Sequence, residues 1–410
     1  MKLIKFLLVI IYLPGSFAGC FNSKLAGKDD KDQEIGMTQH GEGGGSKRHD
    51  VKKHGKGLIF TIIIKIKHIQ LDVASTSHGA GNTCHCKQNN INYDSFVNLT
   101  TPENENIELN TIVEMGKGGF GEVSHAYWPT NNSCVALKVS TVDLQMDEGY
   151  RNFRKFLIKN EVEVLNYFSN EVDEKESTFI IKIYRNVEIV ENNQWKMYTL
   201  MELGGQTLID YVYQKFQTEG ITQKLLIDVI KGAGRALNQF HRHAVHLDVK
   251  VNNFVVSPNQ DQDIIAFKLI DFNASVLLEG EDSKSFPAYG TLIFKAPEIR
   301  EDDIHTDVTV TREADVWAFG LMIYGLFYNK NQNFTSIDKK ENRYVRLDKE
   351  LEKYRNNVDA NNKLDRVIKG CIQINPVKRP SMLEILKFLN NKLEAFEYEG
   401  DVGREDLGME

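Results

Sequence analysis

The chain has 410 residues, 41% hydrophobic and 26% charged, with 30 Gly and 8 Pro, which excludes disorder throughout and points to a folded globular protein. Lys and Arg number 50 against 57 Asp and Glu, and the formal net charge of -7 means that no overall field draws the chain to nucleic acid. The length allows about two to three average domains, or one large domain with an extension, so the architecture has to be read locally.

At the N-terminus, Lys2 and Lys5 precede an apolar run from Phe6 to Leu13, followed by Ser16, Phe17 and Ala18. A basic start, a short apolar centre and small residues at a cleavage position predict a secretory signal peptide over residues 1–18. The run is well short of the ~20 residues of a membrane span, so no transmembrane span is expected and the chain is read as secreted or in the secretory pathway. The alternatives are an intracellular chain whose first residues form a buried helix or strand, and a lipid-modified Cys20.

Residues 19–107 read as a largely linker-like extension. GEGGGSKRHDVKKHGKG is Gly-rich and then basic, the composition of a solvated, flexible segment. Ile64, Lys65, Ile66 and Lys67 then alternate after Ile62 and Ile63, a period that suits a strand. The five cysteines are Cys20, Cys84, Cys86, Cys134 and Cys371, an odd number with no visible disulfide framework. Cys84, His85 and Cys86 lack a second Cys/His pair to complete a metal site. Sequons stand at Asn98, Asn131, Asn273 and Asn333.

From Glu108 short β-branched or apolar runs continue to Gly205, and long amphipathic helical patterns follow from Thr207. Strands first and helices later predict an α+β fold, with a small β-rich lobe, a larger helical lobe and room for a ligand between them. In TIVEMGKGGFGEVSHAYW, Gly116, Gly118 and Gly121 stand at G-x-G-x-x-G spacing, followed by Val123. A dinucleotide fold needs a helix right after the glycines, whereas EVSHAYW continues as a strand, so a hairpin covering phosphates is expected. Lys138 in VALKV, flanked by Ala136 and Leu137, is then a cation on a third strand within reach of phosphate oxygens, and it needs a carboxylate to fix it. Glu161 lies beside the apolar stripe of Leu157, Ile158, Val162 and Leu165 and is preferred to Glu163.

HLDVKVNNFVV at 246–256, KLIDFNAS at 268–275 and KAPE at 295–298 follow the glycine loop and VALKV in order. This set resembles the ordered signature of eukaryotic protein kinases, serine/threonine type. The resemblance covers about Glu108 to Leu393 and implies a bilobal kinase domain over 108–395, with 396–410 as an acidic C-terminal tail. Carried over, it implies a catalytic role for Asp248 toward the substrate hydroxyl and for Lys250 toward the transferred phosphate, with Asn253 and Asp271 as ligands of Mg2+. It implies that ATP is bound by Gly116, Gly118, Gly121, Val123, Ala136, Lys138 and Glu161, and by Met201, Glu202 and Gly204 of MELGG at the adenine end. Lys250 and Thr291 resemble serine/threonine kinases rather than tyrosine kinases, so protein Ser/Thr hydroxyls are the expected acceptors. Asp315, Trp317 and Gly320 resemble the central helix of the large lobe, and Arg379 the arginine that pairs with Glu298.

Two positions depart from the pattern. Leu247 stands where the family has an arginine that commonly pairs with a phosphorylated activation segment, which argues against that mode of switching. Asn273 stands in place of glycine, a moderate change, because Asn tolerates left-handed backbone conformations better than other non-Gly residues. Leu247, ME-x-G and HLDVKVNNF are also similar to the spindle-checkpoint branch of dual-specificity kinases. The two departures motivate an alternative, a kinase-like nucleotide-binding scaffold that recruits protein partners. The Asn273 sequon lies beside Asp271, where a glycan would obstruct the cleft.

Overall fold

The computed structural model describes residues 93–220, 222–260, 264–287, 289–300, 306–328 and 344–401. All described residues belong to one compact unit, within Thr76–Glu410. The signal peptide, the basic run, the strand at 62–67, Cys20, Cys84, Cys86 and the Asn333 sequon lie outside the described residues.

The first strands are β1 (Ser95–Thr100), β2 (Asn106–Lys117), β3 (Glu122–Trp128) and β4 (Ser133–Asp143), the last three formed by the β-branched and apolar runs that start near Glu108. Helix α1 (Glu148–Asn170) follows, then β5 (Ile183–Glu191) and β6 (Gln194–Glu202). They make one six-stranded antiparallel sheet in the order β1-β2-β3-β4-β6-β5. Alternation decides which side chain faces which way. In β4, Val135 and Leu137 join a small cluster with Leu109, Trp128 and Leu200 on one face, while Ala136 and Val142 belong to the main core on the other. Lys138 shares the parity of Ala136 and is thereby carried to the main-core side.

The sheet starts earlier than residue 108. β1 pairs with β2 from Ser95↔Thr111 to Thr100↔Asn106 and buries Leu99, so Lys138 stands on the fourth strand rather than the third. Six residues that bury so little carry a weak period, which is why SFVNLT does not stand out from linker.

Helix α1 opens at Asp147, whose side chain accepts the N–H of Tyr150, and buries Leu157, Ile158, Glu161, Val162, Val164, Leu165 and Phe168 along one stripe. After Thr207 the chain turns helical: α2 (Leu208–Glu219), α3 (Gln223–Phe240), α4 (Arg312–Tyr328), α5 (Val345–Arg355), α6 (Lys363–Cys371), α7 (Met382–Leu389) and α8 (Glu397–Asp401). Between α3 and α4 lie short antiparallel pairs: β7 (Ala244–Val245) with β10 (Val276–Leu277), β8 (Phe254–Val256) with β9 (Phe267–Leu269), and β11 (Ser283–Pro287) with β12 (Asp307–Thr311). This is the α+β, bilobal arrangement expected from the order of patterns.

Helix α4 is buried on every side from Ala314 to Gly325, so the larger lobe is built around it. Its Gly320 permits the approach of α6, since a Cβ there would lie 2.4 Å from the Cβ of Cys371. The folded domain also continues past residue 395: Phe396 is buried, and the Tyr398 hydroxyl donates to the carbonyl of Arg366 at 2.8 Å. Among the described residues no helix is long and apolar enough to cross a membrane.

Replacing Gly320 by Ala forces α4 and α6 apart and is expected to cost about 1–3 kcal/mol of stability. A denaturant titration checks this through a lower midpoint at unchanged slope; an unchanged midpoint would show that the helices have slack.

Candidate active site

The glycine motif is a hairpin turn. β2 and β3 pair as far as Lys117↔Glu122, and the N–H of Gly118 donates to the carbonyl of Gly121 at 2.8 Å. Gly121 is required by the close pass of β4, because a Cβ there would lie 2.4 Å from the carbonyl oxygen of Val139. Gly116 has open space where its side chain would be. The expectation of a hairpin rather than a strand-to-helix turn holds. Register then brings four of the expected residues together: Val123 pairs with Lys138 across β3 and β4, and Ala136 pairs with Met201 across β4 and β6.

At the end of β6, the N–H of Glu202 donates to the carbonyl of Lys182 at 2.8 Å, so this donor serves the sheet. Its carboxylate pairs with Lys268 at 2.7 Å, tying the strand end to β9. Gly204 passes so close to β8 that a Cβ would meet Val255 at 2.5 Å. A glycine is therefore needed where the chain crosses from sheet to helical lobe.

Lys138 Nζ donates to both carboxylate oxygens of Glu161, at 2.7 and 2.6 Å. It lies 3.5 Å from Asp271 Oδ1 and 3.2 Å from Asn273 Oδ1. Glu163 is exposed, so the structure selects Glu161. Burial opposes the charge on Lys138, yet the Glu161 and Asp271 carboxylates outweigh it and raise its pKa above the ordinary value. Burial likewise opposes ionisation of Asp271, but the Lys138 and Lys250 cations prevail and hold its carboxyl below the usual carboxylate range. Asp271 has a φ of 67°, and it is this residue, not Asn273, that takes the left-handed conformation. Asn273 is instead buried, with its side chain used in bonding.

The second half of the site is the loop from His246 to Asn253. Asp248 Oδ2 accepts from Lys250 Nζ at 2.6 Å, and Oδ1 accepts from the Thr291 hydroxyl at 2.6 Å and the Thr291 N–H at 2.9 Å. Lys250 also donates to the Thr291 hydroxyl at 3.3 Å. Burial opposes the Lys250 charge, and Asp248 and Asp271 together overcome this and raise its pKa. Asn253 Nδ2 donates to the carbonyl of Asp248 at 2.8 Å and to its Oδ2 at 3.2 Å, so the amide oxygen is the atom Asn253 can offer a cation. With the Asp271 carboxylate this makes two hard oxygen donors from two segments, a set that suits magnesium.

The loop is held from below by α4. Asp315, wholly buried, accepts the N–H of His246 at 2.6 Å, the N–H of Leu247 at 2.7 Å and His241 Nε2 at 3.0 Å. This holds Leu247 at a φ of 61° with its side chain buried. Gly290 crosses the same point at a φ of 128°, where a Cβ would lie 2.3 Å from the carbonyl oxygen of Leu247. Arg379 grips Glu298 at 2.5 and 2.8 Å, as the KRPS and KAPE segments suggested.

Several contributors were not singled out in the sequence. Asn160 donates to the carbonyls of Phe272, Asn273 and Ser275 at 3.3, 3.2 and 2.8 Å. Tyr289 meets the rings of Phe120, at the tip of the glycine hairpin, and of Phe153 on α1, at 5.6 and 5.8 Å between centroids. Arg154 donates to the carbonyl of Gly119 at 2.8 Å. These are lone polar or aromatic residues with no motif around them; the only available signal was Asn160 adjoining Glu161.

Removing Glu161 leaves a buried ammonium without its main counter-charge, so Glu161→Ala is expected to lower stability by about 3–5 kcal/mol. Glu163→Ala, at an exposed position, is expected to stay within about 0.5 kcal/mol. Denaturant titration of both compares them directly, and equal losses would undo the assignment of Glu161.

The protein kinase domain family matches residues 109–389, more than half of the chain. Among curated relatives, the serine/threonine-protein kinase ppk30 of Schizosaccharomyces pombe is 26% identical over an alignment of 294 residues that covers 67% of this chain and 27% of that protein. The serine/threonine-protein kinase chk-2 of Caenorhabditis elegans is 25% identical over an alignment of 292 residues that covers 67% of this chain and 55% of its own length. The serine/threonine-protein kinase pakA of Talaromyces marneffei is 26% identical over 228 residues, 55% of this chain and 30% of its own. The alignments thus span only part of each relative. With the family match covering both the glycine hairpin and the loop anchored on Asp315, the chain belongs to the protein kinase family.

Proposed function

We propose that this chain transfers the γ-phosphate of ATP to serine and threonine hydroxyls of protein substrates. The observation that carries the reading is the Asp248 carboxylate, held by Lys250 on one oxygen and Thr291 on the other, in a domain that also pairs Lys138 with Glu161 and Asp271. Phosphoryl transfer needs a positioned acceptor hydroxyl and cations that neutralise charge on the phosphate oxygens. In this reading Asp248 orients the hydroxyl and takes its proton, while Lys250 stabilises the transferred phosphate. Lys138, fixed by Glu161, holds the phosphates of ATP beneath the hairpin of Gly116, Gly118 and Gly121. Asn253 and Asp271 hold magnesium, which when bound supplies the remaining positive charge. Val123, Ala136 and Met201 enclose the adenine, with Glu202 to Gly204 at its edge. Lys250 beside Thr291 supports Ser/Thr acceptors, and the serine/threonine-kinase names of the relatives support the same class.

The test is transfer from magnesium ATP to a generic Ser/Thr protein substrate, comparing the purified chain with Asp248→Asn. A loss of about 10²–10⁴-fold in rate is expected for the variant, the usual contribution of a positioned general base. If neither form transfers phosphate while both bind nucleotide, the scaffold reading replaces this one.

Export is part of the proposal, supported by the pattern of Lys2, Lys5, the Phe6–Leu13 run and Ala18. Asn98 and Asn131 are exposed, whereas Asn273 is buried with both ends of its amide bonded. Mass spectrometry of the chain produced in a eukaryotic host is therefore expected to find an N-terminus at Gly19, with glycans at Asn98 and Asn131 and none at Asn273. Retention of Met1 together with bare sequons would place the protein inside the cell.

A further inference from the structure

We infer that Asn160 and Asn273 are positioning residues that latch helix α1 to the segment carrying Asp271. The latch keeps the Lys138–Glu161 pair assembled through hydrogen bonds internal to the cleft. Asn273 is 3% exposed, and its carboxamide is used at both ends: Oδ1 accepts from Lys138 Nζ at 3.2 Å, and Nδ2 donates to the carbonyl of Leu157 at 3.1 Å. Leu157 lies one helical turn before Glu161, so the same side chain bonds the cation and the turn of α1 that bears its counter-ion. Asn160 answers from the helix, its Nδ2 meeting the carbonyls of Phe272, Asn273 and Ser275, the last at 2.8 Å.

The geometry makes these bonds interdependent. An outward shift of α1 that separates Glu161 from Lys138 also strips Leu157 from Asn273 and Asn160 from three carbonyls, leaving buried polar groups unpaired. The assembled arrangement is then favoured by the fold before any ligand binds. A carboxylate cannot substitute at 273, because it has no N–H for the Leu157 carbonyl and adds a negative charge beside Glu161. Glycine at 273 removes the side-chain bonds and leaves the backbone unstrained, which makes it the cleaner variant. The kinetic consequence rests on the kinase reading; the structural one does not.

The experiment is amide hydrogen exchange on the nucleotide-free full chain, wild type beside Asn273→Gly, Asn273→Asp and Asn160→Ala, followed by steady-state kinetics. Amides of α1 around Leu157 to Leu165 are expected to exchange about tenfold faster in each variant, the change that loss of one or two net hydrogen bonds brings. Amides of α4 serve as the internal reference and are expected to keep their wild-type rates. In the kinetics, kcat per nucleotide-binding site, counted by titration, is expected to fall while KM for the protein substrate is unchanged; a general loss of stability would instead lower the number of sites and leave kcat per site as in the wild type. Should Asn273→Gly fail to fold, Asn160→Ser, which keeps a small polar group but shortens the reach, carries the same expectations. Unchanged α1 exchange, or loosening of α1 and α4 together, would overturn the latch. A wild type that transfers no phosphate would sink the kinase reading alone, because the exchange result stands without catalysis.

Discussion

The structure depends on the burial of charge. Lys138 and Glu161 have side chains only 9% and 4% exposed, and taking two such ions out of water costs several kcal/mol each unless geometry and further hydrogen bonds compensate. Three separate elements have to meet for that to happen: β4 brings the ammonium, α1 its carboxylate, and the segment after β9 adds Asp271 and Asn273. Lys138, Glu161 and Asp271 together leave a surplus of one negative charge, while Asp248 and Lys250 balance each other. Such a surplus beside two hard oxygen donors is an environment that favours a cation accompanying a polyphosphate.

The other half of the site is organised by a carboxylate that does no chemistry. Asp315 lies in a helix with no solvent face, and it takes up two backbone N–H groups of the loop that carries Asp248. That hold sets Leu247 in a left-handed conformation and lets Gly290 cross within a distance no other residue tolerates. Asp248 is thus positioned by backbone geometry fixed from the core, and Thr291 arrives directly after the Gly290 crossing. Leu247 fits the same plan, since it uses its N–H and buries an apolar side chain. The β11–β12 pair adds a further hold on the segment leading to Thr291.

Much of this was legible from local pattern. The apolar neighbours in VALKV put Lys138 on a strand, and period 3.6 put Glu161 beside an apolar stripe; the structure brings both to the same point. The hairpin reading of the glycines rested on what followed them and held. Other features escaped for physical reasons. β1 is six residues with few buried groups, so its pairing gains its meaning only from β2. Asn160 and Tyr289 act through partners more than a hundred residues away in sequence, and a single polar or aromatic residue carries no period. The left-handed backbone falls on Asp271 rather than Asn273, whose amide is bonded to Lys138 and Leu157, and both facts depend on contacts across the cleft that no local pattern records.

By itself the sequence determined the order of strands and helices, the place of Lys138 on a strand, the stripe beside Glu161 and the identity of the polar groups available for chemistry. These follow from spacing along the chain, and hydrophobic burial reads spacing directly. The tertiary structure decided which of those groups meet: Lys138 with Glu161, Asp271 and Asn273, and Asp248 with Lys250, Asn253 and Thr291. Those encounters depend on long-range packing that buries the groups far enough to need partners, and the cost of leaving a buried charge or amide unpaired is what selects one arrangement among the many the spacing allows.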